Sequence, residues 1–165
     1  MNASDLQVLF DYNAWANARL WRAALQVTPE QFLAANTSSY GSLRGTLVHL
    51  FRSQLIWRRR LQGESTADIP VETDFPSPQA LHQAFLAEEP QMHAYLQSLG
   101  DDEAQELVNY QNSKGEAYRT AVWQILAHVV NHGTQHRAEA AAMLTDFGFS
   151  PGDLDLIVYF REPSG

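Results

Sequence analysis

Apolar residues recur every three or four positions in four long stretches of the chain, as they do along the buried face of an α-helix. A serine or threonine precedes each stretch, where the side-chain oxygen can cap the first turn of a helix. These caps are Ser4, Ser42, Ser77 and Thr120. The pattern predicts four long helices over about residues 4–25, 42–63, 77–100 and 120–148.

Shorter elements are predicted between and after these helices. The segment "TPEQFL" indicates a helical turn, "ELVNYQNSKGEAYRT" alternates like a small β-hairpin, and "SPGDLDLIVYF" predicts a short last helix that starts at its Ser-Pro pair. Residues 63–77 are rich in proline and polar residues, so we expect a long crossover connection there. Pro90 lies inside the third long helix and predicts a kink or a break. Together these elements predict an all-α four-helix bundle in which residues 1–165 form a single domain.

Composition narrows the possible functions. The 165 residues carry a formal net charge of -8, which would repel a phosphate backbone, so we expect no nucleic-acid partner. The absence of cysteine excludes disulfides, thiolate-ligated zinc sites and a cysteine nucleophile. The first residues do not resemble a signal peptide, and no apolar run reaches the roughly 20 residues that span a bilayer. We therefore expect a soluble cytoplasmic protein with no membrane partner.

Three of the six histidines share the segment "LAHVVNHGTQHRAEAAAML". His128, His132 and His136 are spaced four residues apart, which separates successive imidazoles by about 6 Å along a helix. Neighbouring members of this series can share one metal ion, whereas the first and last, about 12 Å apart, cannot. His132 and His136 align with the apolar face of the helix, and small residues nearby, Gly133 and Ala138–Ala142, are expected to leave room for an ion. The spacing therefore favours His132 and His136 over a pair that includes His128.

A catalytic metal site usually has three protein ligands and one open position, so a third ligand is required. His49 lies in the middle of the second predicted helix, and Gly45 and Ser53, one turn away on either side, suggest a ring that needs space. His82 is expected to be exposed in the first turn of the third helix, and His93 is the weaker candidate. Spacing alone leaves open the alternative that these histidines are ordinary hydrogen-bonded residues without a metal.

Four segments extend the evidence over nearly the whole chain. They are "FDYNAWANARLW", "LVHLFRSQLIWRRRL", "HVVNHGTQHRAEAAAML" and "GFSPGDLDLIVY", and together they resemble the DinB/YfiT-like superfamily of metal-dependent enzymes. The resemblance implies a four-helix bundle in which one histidine of the second helix and two of a late helix bind one divalent ion. Matched residue by residue, these ligands are His49, His132 and His136. Zn²⁺ and Ni²⁺ both accept imidazole ligands, so the metal stays open.

The late histidine segment departs from the pattern His-His-Arg-Gly-Gln that is common in the family. Here Glu139 replaces the final glutamine, three residues after His136. Its carboxylate could reach the ion or a bound water, but the favoured interpretation is a solvent-facing side chain paired with an arginine. Arg137 is expected to pair with Asp155 of the last helix. His128 is expected to stack on a neighbour or to donate to one.

The resemblance also implies a class of function. Members of the wider superfamily include metal-dependent transferases and isomerases that use low-molecular-weight thiols. Our leading hypothesis is a thiol S-transferase that acts on small electrophilic compounds, with the sulfur supplied by a cosubstrate because the chain has no cysteine. Two alternatives are a hydrolase in which Glu139 activates metal-bound water and a stress-related metal-binding module without catalysis. A homodimer is also expected, through an aromatic face of Tyr12, Trp15 and Trp21.

Overall fold

The computed structural model describes residues 1–112 and 114–162 of the chain. Within them, four long helices form a bundle, and three short helices and one two-stranded sheet complete the fold. The helices are α1 (Ala3–Ala24), α2 (Pro29–Leu33), α3 (Leu43–Leu61), α4 (Pro78–Ser98), α5 (Asp101–Gln105), α6 (Val122–Asp146) and α7 (Leu156–Arg161), and the strands are β1 (Leu107–Gln111) and β2 (Ala117–Ala121). The predicted all-α bundle with a small hairpin and a short last helix is confirmed.

The helix α6 is the central element of the bundle. It packs against both α1 and α3, and α4 closes the opposite side by packing against the same two helices. Apolar side chains fill the interior along its whole length, with one cluster around Leu47 and Leu144 and a second around Leu6 and Leu126. Because α3 and α6 are direct neighbours, polar residues in the middle of both helices can face each other across one seam.

Several predicted helix starts are present because a side chain accepts the first free backbone N–H groups. Ser42 and Ser77 accept hydrogen bonds from the N–H groups of Gly45 and Ala80, and each of these serines caps its helix as predicted. The helix α4 continues through Pro90, so the predicted break does not occur. Between α3 and α4, the long connection contains a single 3₁₀ turn, Glu72–Asp74.

Three other predicted starts are wrong. The cap of α1 is Asn2, not Ser4, because Asn2 accepts the N–H of Asp5 and the Asp5 carboxylate accepts the N–H of Asn2 in return. Thr120 does not cap α6, since it belongs to β2 and its hydroxyl lies 3.2 Å from the hydroxyl of Tyr110. The last helix begins at Leu156, five residues after the Ser150-Pro151 pair that was expected to start it.

The aromatic residues of α1 pack inside the protomer. Tyr12 donates a hydrogen bond to the Leu154 carbonyl, and its ring lies 6.1 Å from that of Tyr159 in α7. Trp21 packs against Phe85 of α4. Tyr12 and Trp21 are each only 3% exposed, so the predicted dimer face built on them is wrong.

The hairpin lies against α3 and leads directly into α6. Its strands pair with Tyr110 opposite Tyr118, and the ring of Tyr110 meets Trp57 of α3 edge-on with 4.9 Å between centroids. Arg60 of α3 donates a hydrogen bond to the Gln111 carbonyl. The hairpin therefore forms a wall beside one face of α3.

None of the helices in the described part of the chain combines the length and the apolar character needed to cross a membrane.

Candidate metal centre

Three histidine side chains meet at the seam between α3 and α6. His49 extends from α3, and His132 and His136 extend from successive turns of α6. One ring nitrogen of each lies within 4.8 Å of the other two, and the Nε2 atoms of His49 and His132 are 2.9 Å apart. The structure therefore brings together the three residues that the sequence singled out as ligands.

A carboxylate fixes the orientation of His136. The Oε2 atom of Glu139 lies 2.8 Å from His136 Nδ1, so the Nε2 atom of that ring is left to face the other two histidines. Ser39 donates a hydrogen bond to the second carboxylate oxygen at 3.0 Å. These contacts hold the pKa of Glu139 below its usual range, the bond to His136 being the main cause. The expected pairing of Glu139 with an arginine is wrong, because the carboxylate binds a histidine of the site.

The site favours the neutral form of two of its imidazoles, those of His49 and His132. Burial lowers the pKa of His49 to about 4, and the nearby His136 and Arg52 add to this effect. The pKa of His132 is lowered to about 4 as well, again chiefly by burial and then by the neighbouring histidines. A neutral imidazole has a free lone pair on one nitrogen, which is the form that binds a metal ion.

Tyr40 forms the outer side of the site. Its ring stacks on His49 with 3.9 Å between centroids, and its hydroxyl lies 2.8 Å from His49 Nε2. Gly45 makes this possible, because a Cβ atom there would lie 2.2 Å from the Tyr40 carbonyl oxygen. Gly45, one turn before His49, therefore leaves room for the Tyr40 backbone. Its spacing had suggested that it leaves room for the histidine ring.

Arg137 belongs to a separate buried network on the side of α6 that faces α1. It is 1% exposed, and its Nη1 atom donates hydrogen bonds to the side-chain oxygens of Asn13 and Asn17 in α1. The expected pair with Asp155 is therefore wrong. A Cβ atom on Gly133 would lie 2.8 Å from Arg137 Nη1, so this glycine makes room for the arginine network and not for an ion.

Comparison with known proteins identifies the family. The sequence profile of the DinB family matches residues 1–163. The chain belongs to the DinB family. Its sequence is 26% identical to Protein DinB of Bacillus subtilis (strain 168) over 158 residues, which cover 92% of this chain and 91% of that protein. The resemblance to DinB that four sequence segments indicated is thus confirmed.

A solved structure agrees with the fold of this DinB-family chain. The crystal structure of a DinB-like protein from Bacillus cereus ATCC 10987, at 2.01 Å resolution, gives a TM-score of 0.68 and covers 88% of this chain and 94% of that one. The two sequences are 12% identical, so the likeness concerns the fold alone.

The other histidines of this DinB-family chain lie outside the three-histidine cluster. His128 is one turn before His132, and its ring meets Trp57 edge-on with 5.7 Å between centroids. His82 is half-buried against the Trp21 ring, 5.0 Å away, so the expectation that it is exposed is wrong. His93 lines a cavity of about 610 Å³ between α1 and α4, together with Asp11 and Glu89.

An open groove begins at the histidine site and follows α3. Its volume is about 450 Å³, and we call it the α3 groove. It is lined by Tyr40, Gly45, Val48, His49, Arg52, Ser53, Ile56, Trp57, Arg60, Glu72 and Asn112. The spacing of residues along the predicted helices did not identify Tyr40, Ser39 or this groove, because each depends on how a loop or the hairpin lies against a helix. The groove gives a small molecule access to the side of His49.

Proposed function

We propose that this DinB-family protein binds one divalent metal ion through the Nε2 atoms of His49, His132 and His136. A tetrahedral ion with metal–nitrogen distances of about 2.0–2.1 Å places its ligand nitrogens about 3.4 Å apart. The nitrogens of the three rings are separated by 2.9 Å to at most 4.8 Å, so small side-chain adjustments suffice. Zn²⁺ and Ni²⁺ are the candidate ions, since both bind neutral imidazole.

The contact between Glu139 and His136 is the observation that supports a metal site most directly. A histidine that binds a metal through one nitrogen commonly donates its other N–H to a carboxylate, which fixes the tautomer and makes the ring a stronger ligand. Here Glu139 Oε2 is 2.8 Å from His136 Nδ1, and Ser39 in turn holds the carboxylate. Ser39 and Glu139 thus act in sequence to orient the free lone pair of His136, and a polar cluster that only stabilises packing does not require such an arrangement.

The open groove beside the three histidines favours an enzyme over a structural ion. Three protein ligands leave a position free, as in catalytic zinc sites, whereas structural sites are usually closed by four. Within the described residues, the cluster of metal-binding side chains at this seam consists of the three histidines. When bound, the ion supplies positive charge that lowers the pKa of a thiol or a water molecule. The α3 groove would hold the rest of the substrate against His49 and Tyr40.

A transfer reaction that uses a low-molecular-weight thiol fits this arrangement best. In such a reaction the thiol releases its proton to the solvent, its sulfur forms a bond to an electrophilic carbon of a small molecule, and the bond from that carbon to the leaving group breaks, so that the leaving group departs with the electron pair. The chain has no cysteine, so the sulfur must come from a cosubstrate. The three-histidine site would activate the thiol, and the groove would orient both reactants.

Hydrolysis by metal-bound water is the weaker enzymatic alternative. It requires a general base within hydrogen-bond reach of the water, and Glu139 was the candidate. One oxygen of Glu139 is engaged by His136 and the other by Ser39, so the carboxylate serves to orient a ligand. A non-enzymatic, stress-related metal-binding module is the third possibility, and only turnover distinguishes it from an enzyme.

Thiol conjugation tests the proposed enzyme. Untagged protein loaded with Zn²⁺ or Ni²⁺ is mixed with a panel of small thiols and a chromogenic electrophile, and product formation is followed by absorbance. We expect a rate above the uncatalysed reaction with at least one thiol, and we expect His49→Ala to abolish it. His93→Ala is the matched control, since His93 lies in the other cavity. One bound ion per chain without acceleration for any thiol would favour the non-enzymatic module.

A further inference from the structure

The five arginines of α3 divide into two groups. Arg44, Arg58 and Arg59 each have a carboxylate partner within 4.0 Å, and none of the three lines the α3 groove. Arg52 and Arg60 line the groove, and neither forms a salt bridge with another residue of the described chain. The two guanidinium groups that face the groove are therefore the ones left without an acidic partner.

The positions of these two arginines relate the groove to the histidine site. His49, Arg52 and Arg60 lie on one face of α3, three and then eight residues apart. With a rise of 1.5 Å per residue, Arg52 is about 4–5 Å and Arg60 about 16 Å from His49 along the helix axis. A molecule bound at the three histidines therefore lies next to Arg52, and a longer molecule also reaches Arg60 at the far end of the groove.

Aromatic rings hold Arg60 in the wall of the groove. Its guanidinium lies 4.8 Å from the centre of the Trp57 ring and 5.3 Å from that of Tyr110, and it donates to the Gln111 carbonyl. Arg60 is half-buried, so its charge is partly removed from water, and this burial lowers the pKa of the guanidinium. An anion beside it would offset this desolvation, because charge-assisted hydrogen bonds strengthen as water is excluded.

The remaining charges of the site do not cancel this cationic character. Glu72 also lines the groove, but Arg44 Nε donates to its carboxylate at 2.9 Å. The whole chain has a net charge of -8, so a surface with two unpaired arginines differs from the rest of the protein. The larger cavity between α1 and α4 carries Asp11 and Glu89 instead, and an anion would be disfavoured there.

We propose that Arg52 and Arg60 form an anion-binding subsite of the α3 groove, which selects thiols or electrophiles that carry a carboxylate or phosphate group. This inference rests on the proposed function, because the reacting end of the ligand is placed at the three histidines. Arg52 binds an anionic group two or three bonds from the reacting atom. Arg60 binds a second one at the far end of a longer molecule.

Thiols that carry carboxylates, compared with their uncharged methyl esters, test the subsite. Mercaptopropionate is compared with its methyl ester, and glutathione with its dimethyl ester, by calorimetric titration into metal-loaded protein. We expect mercaptopropionate to bind about tenfold more tightly than its ester, as one charge-assisted hydrogen bond provides, and glutathione, which reaches both arginines, up to about a hundredfold more tightly than its diester. Arg52→Gln should remove the preference for mercaptopropionate, and Arg60→Gln should reduce the preference for glutathione only. Arg22→Gln is the matched control, since it removes the same charge from an exposed position of α1.

Metal analysis of each variant separates the possible failures. Equal affinity of acid and ester for wild-type protein that holds one ion would overturn the subsite and leave the metal centre intact. An equal loss in Arg22→Gln would also overturn it, because the effect would then be one of net charge. Wild-type protein that binds no metal would overturn the proposed function and this inference together. If Arg52→Gln itself fails to hold the ion, Arg52→Lys must retain both the metal and the preference.

Discussion

His136 and Arg137 are consecutive residues of α6, but their side chains enter polar clusters of opposite kinds. His136 turns towards α3, where three imidazoles aim ring nitrogens at one another beside an open groove. Arg137 turns towards α1, where its guanidinium donates to the buried Asn13 and Asn17, and it also donates to Thr134 of its own helix. In the first cluster three ring nitrogens of the same kind converge on one point, whereas in the second a guanidinium faces oxygen acceptors.

This difference distinguishes a binding site from a structural one. A buried polar network whose members satisfy each other fixes the packing of two helices, and its removal is expected to cost stability. A cluster of acceptors that face one another gains little from its own contacts and is completed by a cation. We therefore propose ion binding at the α3–α6 seam and a structural role for the α1–α6 seam.

The largest expected effect on stability is at the arginine network. Arg137→Met should lower the free energy of unfolding by about 3 kcal/mol, because the side-chain oxygens of Asn13 and Asn17 would lose their buried donor. Folded Arg137→Met protein should still bind one metal ion. Urea unfolding measures the first effect, and metal titration below the unfolding transition measures the second. A variant as stable as wild type would show that the network does not hold α1 against α6.

The carboxylate of the metal centre gives the next effect. Glu139→Ala should weaken metal binding by about 10- to 100-fold, since His136 would lose the group that orients its ring. Glu139→Gln is the matched control and should lose less, because its amide oxygen can still accept from His136 Nδ1. Competition with a chromogenic chelator measures both affinities. Unchanged affinity in Glu139→Ala would mean that the carboxylate does not act on the ligand.

A steric change on the histidine side should have a smaller effect. Gly45→Ala places a Cβ atom 2.2 Å from the Tyr40 carbonyl oxygen, so the loop that carries Tyr40 must move. We expect a net loss of about 1–2 kcal/mol, because overpacking outweighs the better helix propensity of alanine. Ser53→Ala, the other small residue one turn from His49, should stay within about 0.5 kcal/mol of wild type. Equal stability of the two variants in urea would contradict this account of Gly45.

The pH dependence of the metal-free protein should reflect the two half-buried rings of His49 and His132. The pKa values of His49 and His132 are lowered to about 4 from 6.5, so the unfolded chain binds more protons than the folded one between these values. The stability contributed by the neutral rings is complete above pH 6.5 and is lost as the pH falls towards 4. The Tm should therefore drop by a few degrees from pH 7 to pH 5, and less in the double variant His49→Gln/His132→Gln. An identical drop in Tm in both proteins would mean that other titratable groups cause it.

Much of the fold could be predicted because it depends on local patterns. Helical periodicity and the caps at Ser42 and Ser77 depend on residues a few positions apart. The caps of α1 and α6 could not be placed as reliably, because several polar residues compete at each start and tertiary contacts decide between them. Thr120, for example, pairs with Tyr110 in the hairpin and is not free to cap a helix.

The candidate site was partly predictable for the same reason. The spacing of His132 and His136 follows from the geometry of one helix, and the family resemblance added His49. Spacing placed Glu139 one turn after His136, within α6, but it could not reveal Tyr40 or the contact between Ser39 and Glu139, because both depend on the loop before α3. It also suggested the wrong reason for Gly133, whose space is taken by an arginine from the next turn of its own helix.

The most direct test of the central claim is the metal content of untagged protein, measured by elemental analysis after titration with Zn²⁺ or Ni²⁺. Wild type should hold about one ion per chain, and His132→Ala should bind more than about a hundredfold more weakly. His128→Ala, four residues earlier on the same helix, should keep the ion. No stoichiometric metal in wild type, or equal retention in His132→Ala, would contradict the assignment of this seam as a metal centre.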